Sequence, residues 1–298
     1  MSTDIASRVT QSKDISRNKK KLDGKGQFSL VFRYSALSIL FVIAALPIYI
    51  MVINSVKGIT GVSQSAAFLP PTSLDFGAWG PTWKILREPM FRTLGFVLQS
   101  SIISAIIGSI NGFVFAKWRF KGSTIVFTTF LFGMFIPYQA IMIPLTQFNK
   151  WAGIGGTIYV LVFAHVIYGI PICTLIFRNY YQGIPNELIE AARVDGASMT
   201  HIYRSIILPL SIPGFVVVLI WQFTSAWNDF LFAIFLTGGS PKLSVATTAL
   251  NFITGSGNQV YYGNNMTASL IVSIPTLLVY MFLGRYFLRG LLSGSLKG

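Results

Sequence analysis

Three of the chain's nine acidic residues, Glu187, Glu190 and Asp195, fall in one short stretch between Gly183 and Leu210. Arg178, Arg193 and Arg204 balance them. Pro185 suits a first helical turn, and Glu187 complements the positive end of that helix. Leu188, Ala191 and Ala192 share a face at helical spacing. Gly196 can stop the helix by adopting a left-handed conformation, and Ser198 can cap the next one. The spacing therefore predicts a short helix, a tight turn and a second helix, with small residues that let another protein approach closely. A plain amphipathic surface helix is the other reading. Catalytic chemistry has little to work with elsewhere. The two histidines, His165 and His201, have no carboxylate at ligand spacing, and the single cysteine, Cys173, sits among apolar neighbours. Neither a phosphate-cradling Gly-x4-Gly-Lys-Ser/Thr loop nor a Gly-x-Ser-x-Gly elbow occurs, so the chain by itself binds no ATP.

The elements that must position these residues are set by composition. Of 298 residues, 53% are hydrophobic and only 11% charged, where a soluble domain carries about 25%. That excludes a soluble globular fold and, equally, disorder, which needs low hydrophobicity. Six windows reach the roughly 20 apolar residues of a spanning helix: 35–54, 93–116, 123–145, 157–177, 206–236 and 268–288. The expected fold is an all-α membrane protein with six transmembrane helices over residues 34–298, preceded by a basic tail, 1–33. The fifth window is long enough that it must tilt, kink or extend past the membrane. No repeat with a period of 20–50 residues and no inverted symmetry between halves is visible.

The net charge of +14 then has an explanation. With six spans and the N-terminus inside, 17 of the 23 Lys and Arg fall on the inner side and 6 on the outer, the bias expected of cytoplasmic loops. Both termini are thus expected to be cytoplasmic, in the inner (plasma) membrane and against its lipid. Charge spread over separate loops does not make a nucleic-acid surface. The longest outer segment, 55–92, carries Phe76, Trp79 and Trp83, read either as interfacial anchors or as a docking surface for an external partner. Ser104, Gly108 and Gly112 lie four apart, a small-residue stripe that permits close helix contact. Prolines at 47, 137, 144, 171, 209, 213 and 275 interrupt the spans.

The spacing Glu190-Ala191-Ala192-x2-Asp195-Gly196-Ala197-x5-Tyr203-x2-Ile206-x-Leu208-Pro209 resembles the EAA signature of permease subunits of ATP-binding cassette importers. Tyr203 stands where that family often has Phe. Met134-x2-Pro137, Ile143-Pro144-Leu145, Ile184-Pro185-x-Glu187-Leu188, Ala226-Trp227-Asn228-x-Phe230 and the ending Gly294-x2-Lys297-Gly298 are similar to its carbohydrate-uptake branch, especially the six-span second permease of maltose-type importers. The resemblance implies a type I importer permease fold and a heterodimer with a second, homologous permease. It also implies two cytoplasmic ATP-binding cassette subunits, which hold the ATP and Mg, and an extracytoplasmic sugar-binding protein. The segment about 183–205 would be a coupling helix seated in the ATPase, through Glu187, Glu190, Ala191, Ala192, Asp195, Gly196, Ala197 and Tyr203. No catalytic or metal residue is expected in this chain.

Ionisable groups inside a membrane are functional candidates. Asp229 and Arg285 qualify, the latter near a helix end where it can snorkel. Asp229 follows Trp227 and Asn228, an aromatic and hydrogen-bonding group suited to a sugar path or, alternatively, to the outer end of a helix. With Tyr138, Gln139 and Gln222 these form the candidate translocation path, and Gln99 and Asn111 are further polar groups within spans. In maltose-type relatives most transmembrane sugar contacts lie in the other permease. A permease for another solute such as glycerol phosphate shares these motifs. A self-sufficient secondary transporter would need ion-coupling groups near the midplane, which are almost lacking here.

Overall fold

A computed structural model describes residues 24–58, 66–118, 120–255 and 262–295. Among them the secondary structure is helical, with one isolated bridge between Lys57 and Asp75. Helix α1 covers Gly24–Ser55, α2 Trp79–Lys117, α3 Ser123–Phe132, α4 Tyr138–Trp151 and α5 Tyr159–Gln182. The short α6 covers Asn186–Val194 and is followed by α7, Met199–Leu210. Beyond them lie α8, Ile212–Trp227, α9, Leu231–Leu236, α10, Ala246–Gly255, and α11, Tyr262–Ser295.

Four helices, α1, α2, α5 and α11, are individually long and apolar enough to cross a membrane. Two bent pairs, α3 with α4 and α7 with α8, raise the number to six when each pair is one span. The third and fifth windows are therefore not continuous helices. α3 and α4 meet at 96°, at Pro137, which lacks an N–H and cannot extend the helix before it. α7 and α8 meet at 75°, at Ser211, ahead of Pro213 in the first turn of α8. α7 itself widens into a π-turn at Tyr203–Ile207. Pro209 follows and offers no N–H to the carbonyl four residues back, a common cause of such local register changes. The fifth window ends in a third piece, α9, after a break at residues 228–230.

Three of the four single-helix spans begin earlier than the windows drawn for them, α11 by six residues (262 against 268) and α1 and α2 by more than ten. α1 starts at Gly24, inside the stretch read as a tail; residues 1–23 lie outside the described residues. α2 starts at Trp79, so the last third or so of the segment taken as an outer loop, from residue 79 to 92, is helix. At 39 residues it is about 58 Å long, well beyond the roughly 30 Å of hydrocarbon. Trp79 is absorbed into the fold, its indole N–H donating to the Ser55 carbonyl at 2.9 Å, whereas Trp83 is exposed. The N-terminal half of α2 also carries Thr93, whose hydroxyl accepts the Ala246 N–H at 2.7 Å and so caps α10. Lys297 and Gly298, which close the C-terminal motif, are outside the described residues.

The chain divides into two units, residues 1–51 and 52–298. In the first, α1 presents apolar side chains all round, from Val31 and Phe32 to Ile48 and Tyr49, as a helix in lipid does. In the second, α2 packs against α5, α8 and α11. Its closest approach is to α5, along the small-residue stripe. A methyl added at Gly108 would lie 2.4 Å from Cys173 Cβ, and one at Gly112 2.6 Å from Phe177 Cβ. Buried residues form two clusters, one around Phe96, Leu161 and Trp227 and one around Phe113, Phe177, Tyr181 and Ile202. Each surrounds one of the two polar regions singled out in the sequence.

Candidate functional site

The 183–205 segment folds by the rules of helix termini. Pro185 occupies the cap position rather than the first turn, and α6 starts at Asn186. At the C-terminal end Gly196 adopts φ +79°, while Ala197 N–H returns to the Ala192 carbonyl at 2.9 Å and Asp195 N–H to Ala191 at 3.0 Å. That closes the last carbonyls of the helix. Ser198 caps α7, accepting the His201 N–H at 3.3 Å.

The buried face of α6 is Ile189 and Ala192, not the Leu188–Ala191–Ala192 face drawn from spacing alone. The larger Ile189 turns inward against Phe113, Phe177 and Ile202. Leu188 and Ala191 therefore face outward, beside Glu187, Glu190, Val194, Asp195 and Gly196, all exposed. Ala197 is half-buried. The result is an exposed face that alternates apolar and acidic side chains around a chain reversal, with the exposed Arg193 turned to Met199 at 3.4 Å. A surface of this kind offers both desolvation and charge to a partner protein.

Two anchors hold this loop to the bundle. Lys117, at the end of α2, donates to the Ile184 carbonyl at 2.6 Å and to Asn186 Oδ1 at 2.7 Å. Tyr203 is half-buried, with its ring 5.4 Å from that of Phe113. Its hydroxyl is 2.7 Å from Ser109 Oγ, which in turn is 2.6 Å from the Tyr181 hydroxyl. Lys117, Ser109 and Tyr181 had no signal in the sequence: each lies 67 or more residues from its hydrogen-bond partner.

The second region centres on Asp229. Both carboxylate oxygens accept backbone N–H groups of α9, from Phe232 at 3.3 Å and Ala233 at 3.1 Å. Thr247 donates to its carbonyl at 2.6 Å. His165, for which sequence spacing offered no carboxylate, is brought to 3.6 Å from Asp229 Oδ2. The imidazole is buried between Phe96, stacked at 5.6 Å, and Phe232, edge-on at 5.7 Å. Tyr138 joins through Phe232 at 5.0 Å and Tyr168 at 6.2 Å. Asp229, Tyr138 and the unforeseen His165, Tyr168 and Phe232 thus make one carboxylate-and-aromatic cluster. The one local hint was the three-residue spacing of His165 and Tyr168 on a helix.

The other candidate path residues are placed differently. Gln222 is buried and donates to the His165 carbonyl at 2.9 Å, crossing where Gly169 leaves room for it. Trp227 is buried and donates to the Val272 carbonyl at 3.0 Å, tying α8 to α11. Asn228 is exposed and donates back to the Thr224 carbonyl at 2.9 Å. Gln139 is exposed at the start of α4. Among the described residues no group of three or more His, Cys, Asp or Glu side chains is arranged to hold a metal ion.

Residues 108–293 match the family described as binding-protein-dependent transport system inner membrane component. The chain is 34% identical over 268 residues to the xylose/arabinose import permease protein XacI of Haloferax volcanii, covering 82% of this chain and 86% of that one. It is 33% identical over 274 residues to the glucose import system permease protein GlcU of Saccharolobus solfataricus, covering 89% and 95%. Among solved structures it resembles a bacterial ABC transporter involved in the import of the acidic polysaccharide alginate. The TM-score is 0.77 at 21% identity, over 89% of this chain and 98% of that one. At that identity the likeness is one of fold.

Proposed function

The chain belongs to the family of inner-membrane components of binding-protein-dependent transport systems, and from that premise we propose that it is one half of a heterodimeric sugar permease driven by ATP hydrolysed in separate subunits. The relatives named for xylose/arabinose and glucose import support the choice of sugar. The observation that carries the mechanism is the outward face of α6. Its inward residues are fixed to α2 and α5, while Glu187, Leu188, Glu190, Ala191 and Val194 are left for a partner.

In this reading that face seats in a cytoplasmic ATP-binding cassette subunit, one for each permease. Glu190 is its main polar anchor and Gly196 its turn. Closure of the ATPase pair pushes the two loops together, and the bundle rocks between inward- and outward-facing states, a two-state rigid-body change of the kind coupling requires. An extracytoplasmic binding protein delivers the sugar, which passes the Asp229 cluster on the side opposite the loop. Both termini lie in the cytoplasm, as the distribution of Lys and Arg supports.

Purification of the tagged chain from its native membrane is the test. The reading expects a second permease and an ATP-hydrolysing subunit to copurify. Vesicles holding that complex and its binding protein should take up labelled xylose, arabinose or glucose only with ATP inside. Recovery of the chain without an ATPase, or uptake driven by an ion gradient alone, would overturn it.

A further inference from the structure

Resting on the reading of α6 and α7 as the coupling loop, we propose that the hydroxyls of Tyr203, Ser109 and Tyr181 form the directional link through which that loop moves the bundle, making Ser109 and Tyr181 positioning residues for transport. Ser109 Oγ stands 2.6 Å from the Tyr181 hydroxyl and 2.7 Å from that of Tyr203. Ser109 and Tyr181 are fully buried. Ser109 Oγ offers one proton and two lone pairs, enough to bond both tyrosine hydroxyls at once.

The positions of the three explain why this link matters. Tyr203 opens the π-turn of α7. Ser109 lies between Gly108 and Gly112, where α2 approaches α5 most closely. Tyr181 ends α5 just before the loop. One hydrogen-bonded chain thus joins the loop to the two helices that form the central seam. The buried contacts around it, Ile189, Ala192, Ile202 and Ile207 against Ala105, Phe113 and Phe177, are apolar; Lys117 ties only the start of α6, and Tyr180 only the Leu210 carbonyl at the far end of α7. Apolar contact has no preferred direction and lets packed helices slide. Short hydrogen bonds in an apolar surrounding fix distance and register, and there they are stronger than in water.

The test uses the intact complex with its ATPase. A fluorophore is attached through Trp151→Cys, an exposed site at the end of α4, near the end of α5 away from the loop; the native Cys173 is buried and does not react. In this background Tyr203→Phe and Ser109→Ala are expected to keep ATP hydrolysis while the ATP-dependent fluorescence shift falls severalfold. Tyr203→Phe keeps the ring against Phe113. The triple variant Tyr203→Phe, Ser109→Ala, Tyr181→Phe leaves no orphaned hydroxyl in the chain, so its melting temperature should recover toward wild type. The shift should stay lost. An undiminished shift in the single variants overturns the proposal, and so does a shift that returns together with stability in the triple variant. Failure of the ATPase to copurify would instead overturn the underlying assignment of the loop.

Discussion

Asp229 faces two demands at once: its carboxylate caps α9 through Phe232 and Ala233, and it stands 3.6 Å from His165 Nε2. At the break over residues 228–230, which ends α8, one side chain therefore meets both α9 and α5. Asp229→Ala removes both cap bonds and should cost about 1–2 kcal/mol, as loss of an acidic cap does. Asp229→Asn retains one acceptor oxygen and should cost less. Thermal unfolding of the purified complex in detergent checks the order. Melting temperatures equal to wild type in both variants would mean that the cap contributes nothing to stability.

Gly196 has φ +79°, yet a methyl added there would meet nothing within 4 Å. The cost of Gly196→Ala is therefore conformational, about 1 kcal/mol for a left-handed L-residue, and the complex should still assemble. Gly196→Asp adds charge and bulk to the face proposed to meet the ATPase. Glu190→Ala removes an exposed carboxylate there, a change worth less than about 0.5 kcal/mol to stability. Both are expected to leave ATP hydrolysis intact and abolish ATP-dependent uptake. Uptake at the wild-type rate in both, with normal assembly, would refute the role given to this surface.

How much of this was readable beforehand depended on the solvent of each segment. The polar loop obeyed local rules, so the turn at Gly196 and the cap at Ser198 were legible. Within the membrane, composition found the apolar stretches but not their bends, because the pieces on either side of Pro137 or Ser211 are together apolar enough to read as one span. The start of α2 at Trp79 was missed because its first turns are rich in charge and proline, as an outer loop would be. His165 with Asp229, and Tyr203 with Ser109, meet only through the packing of distant helices, and no spacing in one chain signals that.

Two glycines at helix crossings, Gly112 between α2 and α5 and Gly169 between α5 and α8, allow a graded comparison. At Gly112 an added methyl meets Phe177 Cβ at 2.6 Å and the Arg178 backbone nitrogen at 2.8 Å, neither of which can give way. At Gly169 it meets only the end of the Gln222 side chain, at 2.3 Å, which can rotate at the expense of its bond to the His165 carbonyl. Gly112→Ala should cost about 1–3 kcal/mol by overpacking. Gly169→Ala should cost about 1 kcal/mol, the value of one hydrogen bond. Melting temperatures in detergent would rank them, and Gln222→Leu should add nothing further to Gly169→Ala if the lost bond is the whole effect.

Lys117 tests whether the coupling loop has its own stability, separate from the bundle. Its ammonium is the tie from the end of α2 to the Ile184 carbonyl and the Asn186 side chain, at the very start of α6. Lys117→Met keeps the apolar stem and removes only that tie. The inward residues Ile189 and Ala192 still pack, and Tyr203 still reaches Ser109, so the loop should remain docked but open more readily at its leading end. A loss of about 1.4 kcal/mol would raise local opening about tenfold. Amide hydrogen exchange should therefore quicken by that factor over 186–191, with α2 and α5 unchanged. Faster exchange that spread through α5 would mean instead that the loop and the bundle open as one cooperative unit, with Lys117 contributing to the whole.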